Sequence, residues 1–339
     1  MSVWDVFNQD AFSVQTLTAR VNNLPFVPGQ ISESGLFEEE GVTTTTILIE
    51  EQDTVLGLVA PTPRGGPGET AGKDGRRIRT FAVPHYERDD AVLADEVQNV
   101  RAFGSENQVE TVQDAIDRKM RKHTIALDAT LEHQRVGAIK GLITDKNGNT
   151  IYNLATEFGI SLPSAVDFVF GTSTTKIRQK CFDVVTGIED ALDGVPYTGI
   201  VAWCGKDFWK GLIDHDEVKK TYLNWIQAAQ LRGIPLDTFE FGGITWKRYR
   251  TGTQAKAANG ATPFIADNGC QFTPTGVPEL FITRFAPADY EETVNTVGLP
   301  RYMRQYPMEN GKGRKVEVQT NAISLCTRPK VLFSGLTSN

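Results

Sequence analysis

The chain has 339 residues, 40% hydrophobic and 23% charged, with a formal net charge of −7. This composition describes a globular protein with a substantial core, about two domains at ~150 residues each, and it opposes a task built on wholesale phosphate neutralisation. No apolar run approaches the ~18 residues of a membrane span, and MSVWDVFNQDAF, with no basic residue before Arg20 and no apolar signal core, argues against secretion. The expected location is the cytoplasm in which the chain is made. Cys181, Cys204, Cys270 and Cys326 are scattered with no CxxC spacing, so reduced, buried thiols are expected.

Residues 1–40 read as an arm. Trp4, Phe7 and Phe12 want burial, but LPFVPGQ with its two prolines prevents a long regular element, and the acidic cluster Glu38, Glu39 and Glu40 follows. Next come two runs rich in β-branched and aromatic residues, TTTTILIEEQDTVLGLVA (43–60) and RRIRTFAVPHYERDD (76–90), which read as strands. Their connector, PTPRGGPGETAGKDG (61–75), carries three prolines and five glycines and can neither extend a strand nor pack a core. A hairpin this long with a soft, basic tip is expected to find its partner on another subunit.

The stretch 106–140 gives the strongest helix signal. Val112, Ile116, Met120, Leu127 and Leu131 recur at helical spacing, charged residues fill the other faces, and no glycine intervenes before Gly137. Such a helix spans roughly 45–50 Å and serves as a structural spine. GLITDKNGNTIYNL (141–154) places Lys146-Asn147-Gly148-Asn149 between two β-type runs, a tight-turn signal. Beyond it, 175–194 reads as an amphipathic helix stopped by Gly194, 197–205 as a buried strand and 206–227 as one or two helices. Residues 239–251 form a hairpin around Gly242-Gly243, 260–310 are rich in Gly and Pro, and KVEVQTNAISLCT and PKVLF (315–333) form a final strand pair. The class is α+β, without a repeat of fixed period.

A search for chemistry ends without an enzyme. In GGPGETAGKDG, a phosphate-binding loop would need Gly where Pro67 stands and Ser or Thr where Asp74 stands, so the apparent motif fails twice. Asp145, Asn147 and Asn149 have calcium-like spacing, but Gly148 is fourth instead of sixth and residue 156 is Thr instead of Glu. His123 and His133 lie on nearly opposed faces of the long helix, His215 reads as a solvated helix residue, and His85 near Asp89 and Asp90 lacks a second histidine for a metal. No nucleophile signature is present, and no cofactor or metal is expected. Three basic runs remain: Arg118, Lys119, Arg121, Lys122 and His123 on the helix; Lys247, Arg248 and Arg250 interleaved with Trp246 and Tyr249; and Lys312, Arg314 and Lys315 in a Gly-rich turn. The second and third read as solvated faces or charge-protected edges. For the helix cluster, phosphate contact, inter-subunit pairing and a solvated face stand level.

The order of these parts resembles the major capsid protein of tailed bacteriophages, closest to the lambda-like capsid protein E family with its HK97-type fold. The likeness covers nearly the whole chain and rests on the order and spacing of the hairpin region up to AVLADE, the helix ending in AIKGLIT, GIVAWCGKDFWKGL, LPRYMRQYP and the closing VQTNAISLCTRPKVLF. It implies an N-terminal arm (1–40), an extended β-hairpin loop (41–95), a peripheral domain (96–170 and 290–339) containing the spine helix, and an axial domain (171–289). It also implies hexamers and pentamers of the chain in an icosahedral shell around double-stranded DNA, with no membrane. Portal, decoration and scaffolding proteins are the implied partners; scaffolding is expected as a separate protein because the arm is short. The expected locations are the host cytoplasm during assembly and then the virion. On this reading Arg64, Lys73, Arg76 and Arg77 of the loop pair with acidic surface of a neighbouring subunit, with Glu38, Glu39 and Glu40 as candidates. Arg118, Lys119, Arg121 and Lys122 form an inner-surface or inter-subunit cluster. An encapsulin-like compartment with protein cargo, a tail or fibre component and a nucleotide-dependent enzyme using residues 64–75 are the alternatives left open.

Overall fold

The computed structural model describes residues 29–53, 75–97, 112–219, 221–222, 237–252, 255–256, 259–309 and 311–338. A short helix α1 (Gln30–Glu33) leads to strands β1 (Glu38–Gly41), β2 (Thr46–Asp53), β3 (Gly75–Ala82) and β4 (His85–Leu93). Helices α2 (Ala94–Val97) and α3 (Val112–Lys140), the pair β5 (Leu142–Thr144) and β6 (Thr150–Asn153), α4 (Leu154–Phe158) and β7 (Val166–Asp167) follow. The remainder runs α5 (Ile177–Leu192), β8 (Gly199–Cys204), α6 (Lys206–Asp214), β9 (Thr238–Phe241), β10 (Ile244–Arg248), β11 (Gly269–Thr275) and β12 (Phe281–Phe285). It closes with β13 (Tyr302–Pro307), β14 (Gly313–Cys326) and β15 (Ser334–Leu336).

Among the described residues two larger sheets carry the fold. In one, β14 is the common strand: its first part lies between β4 and β13, and its last five residues pair with β12, which holds β1 in parallel on its other edge. The other has the order β7-β15-β11-β8-β10-β9, with β8 central and flanked by antiparallel β11 and parallel β10. The buried run GIVAWC of β8 fits that central place. Helix α5 turns Ile177, Cys181, Val184, Ile188 and Leu192 inward at helical spacing and ends at Asp193, whose φ of 51° is left-handed, one residue before the expected stop.

Helix α3 starts at Val112 among the described residues and spans roughly 43 Å; the expected start near 106 lies outside them. Ala115, Ile116, Met120 and Leu127 pack on Val92, Met303, Val316 and Val318 of β4, β13 and β14. The expectation of one apolar stripe with charges elsewhere fails beyond residue 127. Asp128, Glu132, Gln134 and Arg135 are all buried, because this half of the helix passes through the protein instead of along its surface. Gly137 is required there: a Cβ would stand 2.9 Å from the Leu142 carbonyl oxygen. The helix stops at Gly141, with φ of +79°, and the expected tight hairpin follows, with Gly148 at φ of +83°.

The run 76–90 is two strands, since Pro84 has no N–H for a ladder and the chain changes sheets there: β3 pairs with β2, β4 with β14. The Gly/Pro-rich stretch 260–310 holds β11, β12 and β13, three short strands whose alternation the glycines and prolines mask. The expected closing strand pair does not form. Pro329–Val331 is a turn of 3-10 helix, while β14 pairs with β4, β12 and β13.

Candidate assembly surfaces

The β2–β3 hairpin has two faces of different fate. Ile47, Ile49 and Phe81 point to one side and are buried, whereas Leu48 and Ile78 point to the other and are 63% and 57% exposed. The buried face rests on the chain's own β6 and α4. Phe81 meets Tyr152 edge-on at 5.3 Å and stacks on Phe158 at 6.1 Å. The Arg79 guanidinium lies 4.8 Å over the Phe158 ring and donates to the carbonyl oxygens of Glu157 and Phe158 at 3.0 and 3.1 Å. Tyr152 Oη accepts from the Ala82 N–H at 2.9 Å and donates to the Ala82 carbonyl at 3.0 Å. The root of the hairpin is therefore held by its own subunit, while residues 54–74, toward its tip, lie outside the described residues. Of the four loop cations, Arg77 is an exposed residue of β3 opposite Glu51, Arg76 stands opposite Gln52, and Arg64 and Lys73 lie outside the described residues.

The three acidic candidates form β1 and are engaged within the chain. Glu39 takes the buried Arg135 guanidinium at 2.5 Å, and Arg135 also lies 5.5 Å over the Phe37 ring. Glu40 pairs with Arg284 at 3.3 Å, while the Glu38 carboxylate accepts from the Glu279 N–H at 3.1 Å. Just upstream, the buried Glu132 carboxylate of α3 accepts from the N–H groups of Ile31 and Ser32, each at 3.0 Å, and from Ser32 Oγ at 2.7 Å. These are the otherwise unpartnered donors at the start of α1. Gly29 lets the carboxylate in, since a Cβ there would fall 2.1 Å from Glu132 Cδ. Nothing in the sequence marked Glu132 as an anchor for a segment about a hundred residues away.

On α3, Arg118, Arg121 and Lys122 are exposed beside Ile125, an apolar residue also on the surface. Lys119 turns inward to Glu96 at 2.7 Å and Asp90 at 3.5 Å, so it leaves the cluster for a structural role. His123 is buried, with Nε2 3.4 Å from Asp90 Oδ2 but not aligned for a hydrogen bond. Burial lowers its pKa, Arg88 and Lys122 push the same way, and Asp90 opposes them.

The remaining candidates have structural places. Trp246 and Tyr249 are core residues of an interior strand and its end, Lys247 stacks 5.4 Å from the Trp203 ring, and Arg248 and Arg250 share Asp237, so this run is not an edge and is solvated only at its arginines. Lys315 pairs with Asp89. His215 is buried, not solvated: its ring contacts the Thr172 carbonyl and accepts from the Glu217 N–H, each at 3.3 Å. His85 bonds Asn321 Oδ1 at 2.7 Å. Asp145 accepts from the backbone N–H groups of Asn147 and Asn149 within its turn. The four thiols are buried and unpaired. Among the described residues no group of three His, Cys, Asp or Glu side chains could hold a metal, and no helix is long and apolar enough to cross a membrane. A second apolar surface went unnoticed in the sequence: Val294, Val297 and Leu299, exposed in the loop before β13. Their spacing fits no regular element, and the surrounding glycine, proline and polar residues hid them.

Comparison with known proteins gives a consistent answer. The family described as phage major capsid protein E matches residues 13–337. The major capsid protein of Pseudomonas phage KPP10 is 29% identical, over 96% of this chain and 97% of that one. That of Salmonella phage Felix O1 is 24% identical, over 95% of each. Among solved structures, the putative capsid protein of an E. coli CFT073 prophage superposes with a TM-score of 0.59 at 12% identity, covering 96% of this chain and 99% of that one. The capsid of cyanophage P-SCSP1u gives 0.54 at 10% identity, covering 93% and 90%. At such identities the structural likeness speaks for the fold, which is the HK97-type capsid fold. With the match running almost end to end, the chain belongs to the phage major capsid protein E family.

Proposed function

We propose that this chain is the major capsid protein of a tailed phage, whose copies close into the head shell. The observation that carries this reading is the family match over residues 13–337. The two-faced hairpin supports it: one face is fixed to its own subunit, and the other offers Leu48 and Ile78 outward. Exposed apolar side chains on the outer face of this ribbon suit a protein that completes its core against sister copies. The work is structural, without catalysis.

The finer assignments form part of the same proposal. Hexamers and pentamers form the shell around double-stranded DNA, with scaffolding, portal and decoration proteins joining during assembly in the host cytoplasm. The β14 sheet with α3 makes the peripheral domain and the β8 sheet with α5 and α6 the axial domain. Sheet membership favours grouping β4 and β12 with the first and β7 and β15 with the second, across the boundaries expected from sequence. Arg64, Lys73, Arg76 and Arg77 meet acidic surface on a neighbour. Because Glu39 and Glu40 already hold cations of their own chain, each further exposed pair adds only ~0–1 kcal/mol, multiplied by the copies in a shell. Arg118, Arg121 and Lys122 face DNA or a neighbouring subunit.

Electron microscopy of the expressed full chain, with and without a scaffolding protein, tests the reading. Closed particles are expected, and a variant lacking residues 64–75 should remain folded yet form no stable shells. Tubes, trimers or persistent monomers from the intact chain would overturn it, as would normal shells from the deletion for the hairpin's part in it. Nuclease-resistant DNA inside infectious particles, rather than protein cargo, separates a phage head from an enzyme-housing compartment.

A further inference from the structure

The run Trp246 to Arg250 remains without a part in shell building, and it borders a cavity of about 240 Å³. Four cations converge there, Lys206, Arg248, Arg250 and Lys256, with Asp267 as the acidic group in the wall. Arg248 and Arg250 both lean on Asp237, while Lys206 and Lys256 have no ion-pair partner among the described residues. Four positive charges thus stand against two carboxylates, in a chain whose overall charge is −7. Such a concentration of one sign in a recess raises the local potential and favours an anion there.

The walls are fixed in advance. Tyr249 donates its hydroxyl to Glu132 at 3.0 Å and its N–H to the Cys204 carbonyl at 2.8 Å. Gln30 clamps the strand end by donating to the Arg248 carbonyl at 3.1 Å and accepting from the Arg250 N–H. Thr251 Oγ1 accepts from the Phe264 N–H at 2.9 Å, and Lys140 Nζ donates to the Phe264 carbonyl at 3.0 Å. Helix α6 also starts here, but its Asp207 and Phe208 N–H groups already donate to the Asp267 carbonyl, so the attraction comes from side chains and not from a free helix end.

We infer that this cavity binds a phosphate-bearing anion through Lys206, Arg248, Arg250 and Lys256. A surplus of two positive charges matches a dianion, arginine's planar fork suits phosphate oxygens, and the space equals roughly eight liquid-water volumes, enough for a diphosphate-sized group. The anion has two sources, a free di- or triphosphate or a backbone phosphate of nucleic acid.

Calorimetric titration of the full-length protein with pyrophosphate tests the inference, using wild type, Lys206→Glu, Lys256→Glu and, as a control elsewhere on the surface, Lys146→Glu. Saturable binding is expected, weakened at least tenfold by either of the first two changes and unchanged by the third, with circular dichroism verifying that each variant is folded. Competition by a DNA oligonucleotide would assign the site to nucleic acid, and its absence to a free anion; either supports the site. No saturable pyrophosphate binding by the folded wild type, or equal binding by all variants, would overturn it. Because the readout is binding and not particle formation, failure here leaves the shell reading standing, and the converse also holds.

Discussion

Glu132 and Tyr249, 117 positions apart in sequence, share a buried 3.0 Å hydrogen bond, and the same carboxylate holds the start of α1. One side chain of the spine thus ties the end of the N-terminal arm to the β8 sheet. Glu132→Ala strands a buried hydroxyl and two backbone N–H groups, and an expected loss of about 3 kcal/mol follows. Tyr249→Phe removes one bond only and should lose about 1 kcal/mol. Urea denaturation of assembly-blocked subunits would measure both, and equal losses would contradict the shared-anchor account.

The two faces of the hairpin predict opposite phenotypes. Phe81→Ala empties the contact with Tyr152 and Phe158 and should destabilise the isolated subunit by about 3–5 kcal/mol. Leu48→Ser and Ile78→Ser alter exposed positions, so subunit stability should move by less than about 0.5 kcal/mol while the yield of closed particles falls. Sedimentation of assembly reactions reads the second effect.

Asp128 and Arg301 form a buried ion pair. Arg301→Met leaves a carboxylate buried without its cation and should cost about 3–5 kcal/mol, whereas the double change Asp128→Leu with Arg301→Met should recover much of that loss. A double-mutant cycle in urea decides the matter; additive losses would mean the pair is not coupled.

Titration should erode stability from both sides. Burial depresses the pKa values of His123 and His133; a lowered folded-state pKa gives stability that is present above about pH 6.5 and lost as pH falls below it. His123→Gln should therefore flatten the fall in urea midpoint between pH 7.5 and 5.5, and an unchanged profile would contradict the assignment. Burial pushes Tyr86 up to about 12 and raises Tyr249 and Tyr290 as well. For these the sign reverses: stability is full below about pH 10 and lost above it. Ultraviolet titration should show these phenols ionising only as the protein unfolds.

Elements whose signals were local were legible in the sequence. The α3 stripe, the Asn147-Gly148 turn, the α5 periodicity and the apolar β8 run each state their structure within a dozen or so residues. What escaped was set by partners distant in the chain. His215 looks solvated between Asp214 and Asp216, yet Thr172 and Glu217 cover it. Glu38, Glu39 and Glu40 read as a free acidic patch, but Arg135 and Arg284 take two of them. Strands β11 to β13 owe their pairing to β1, β8, β14 and β15, and their own glycines and prolines argue against them. The candidate assembly surfaces were half legible: the hairpin was visible, but the Phe81 anchorage at its root and the exposed Val294–Leu299 patch were not.

The switch of sheets at Val83-Pro84 has a mechanical consequence. Two residues separate a ribbon fixed at its root from a strand zipped along nine positions of β14. A tilt of the ribbon therefore bends two short links, residues 83–84 and 42–45, and works against the Phe81 and Arg79 contacts at its root, while the ladder of β4 on β14 stays paired. Any difference in ribbon angle between copies is thus expected at those two links and the root contacts, leaving the β14 sheet unchanged.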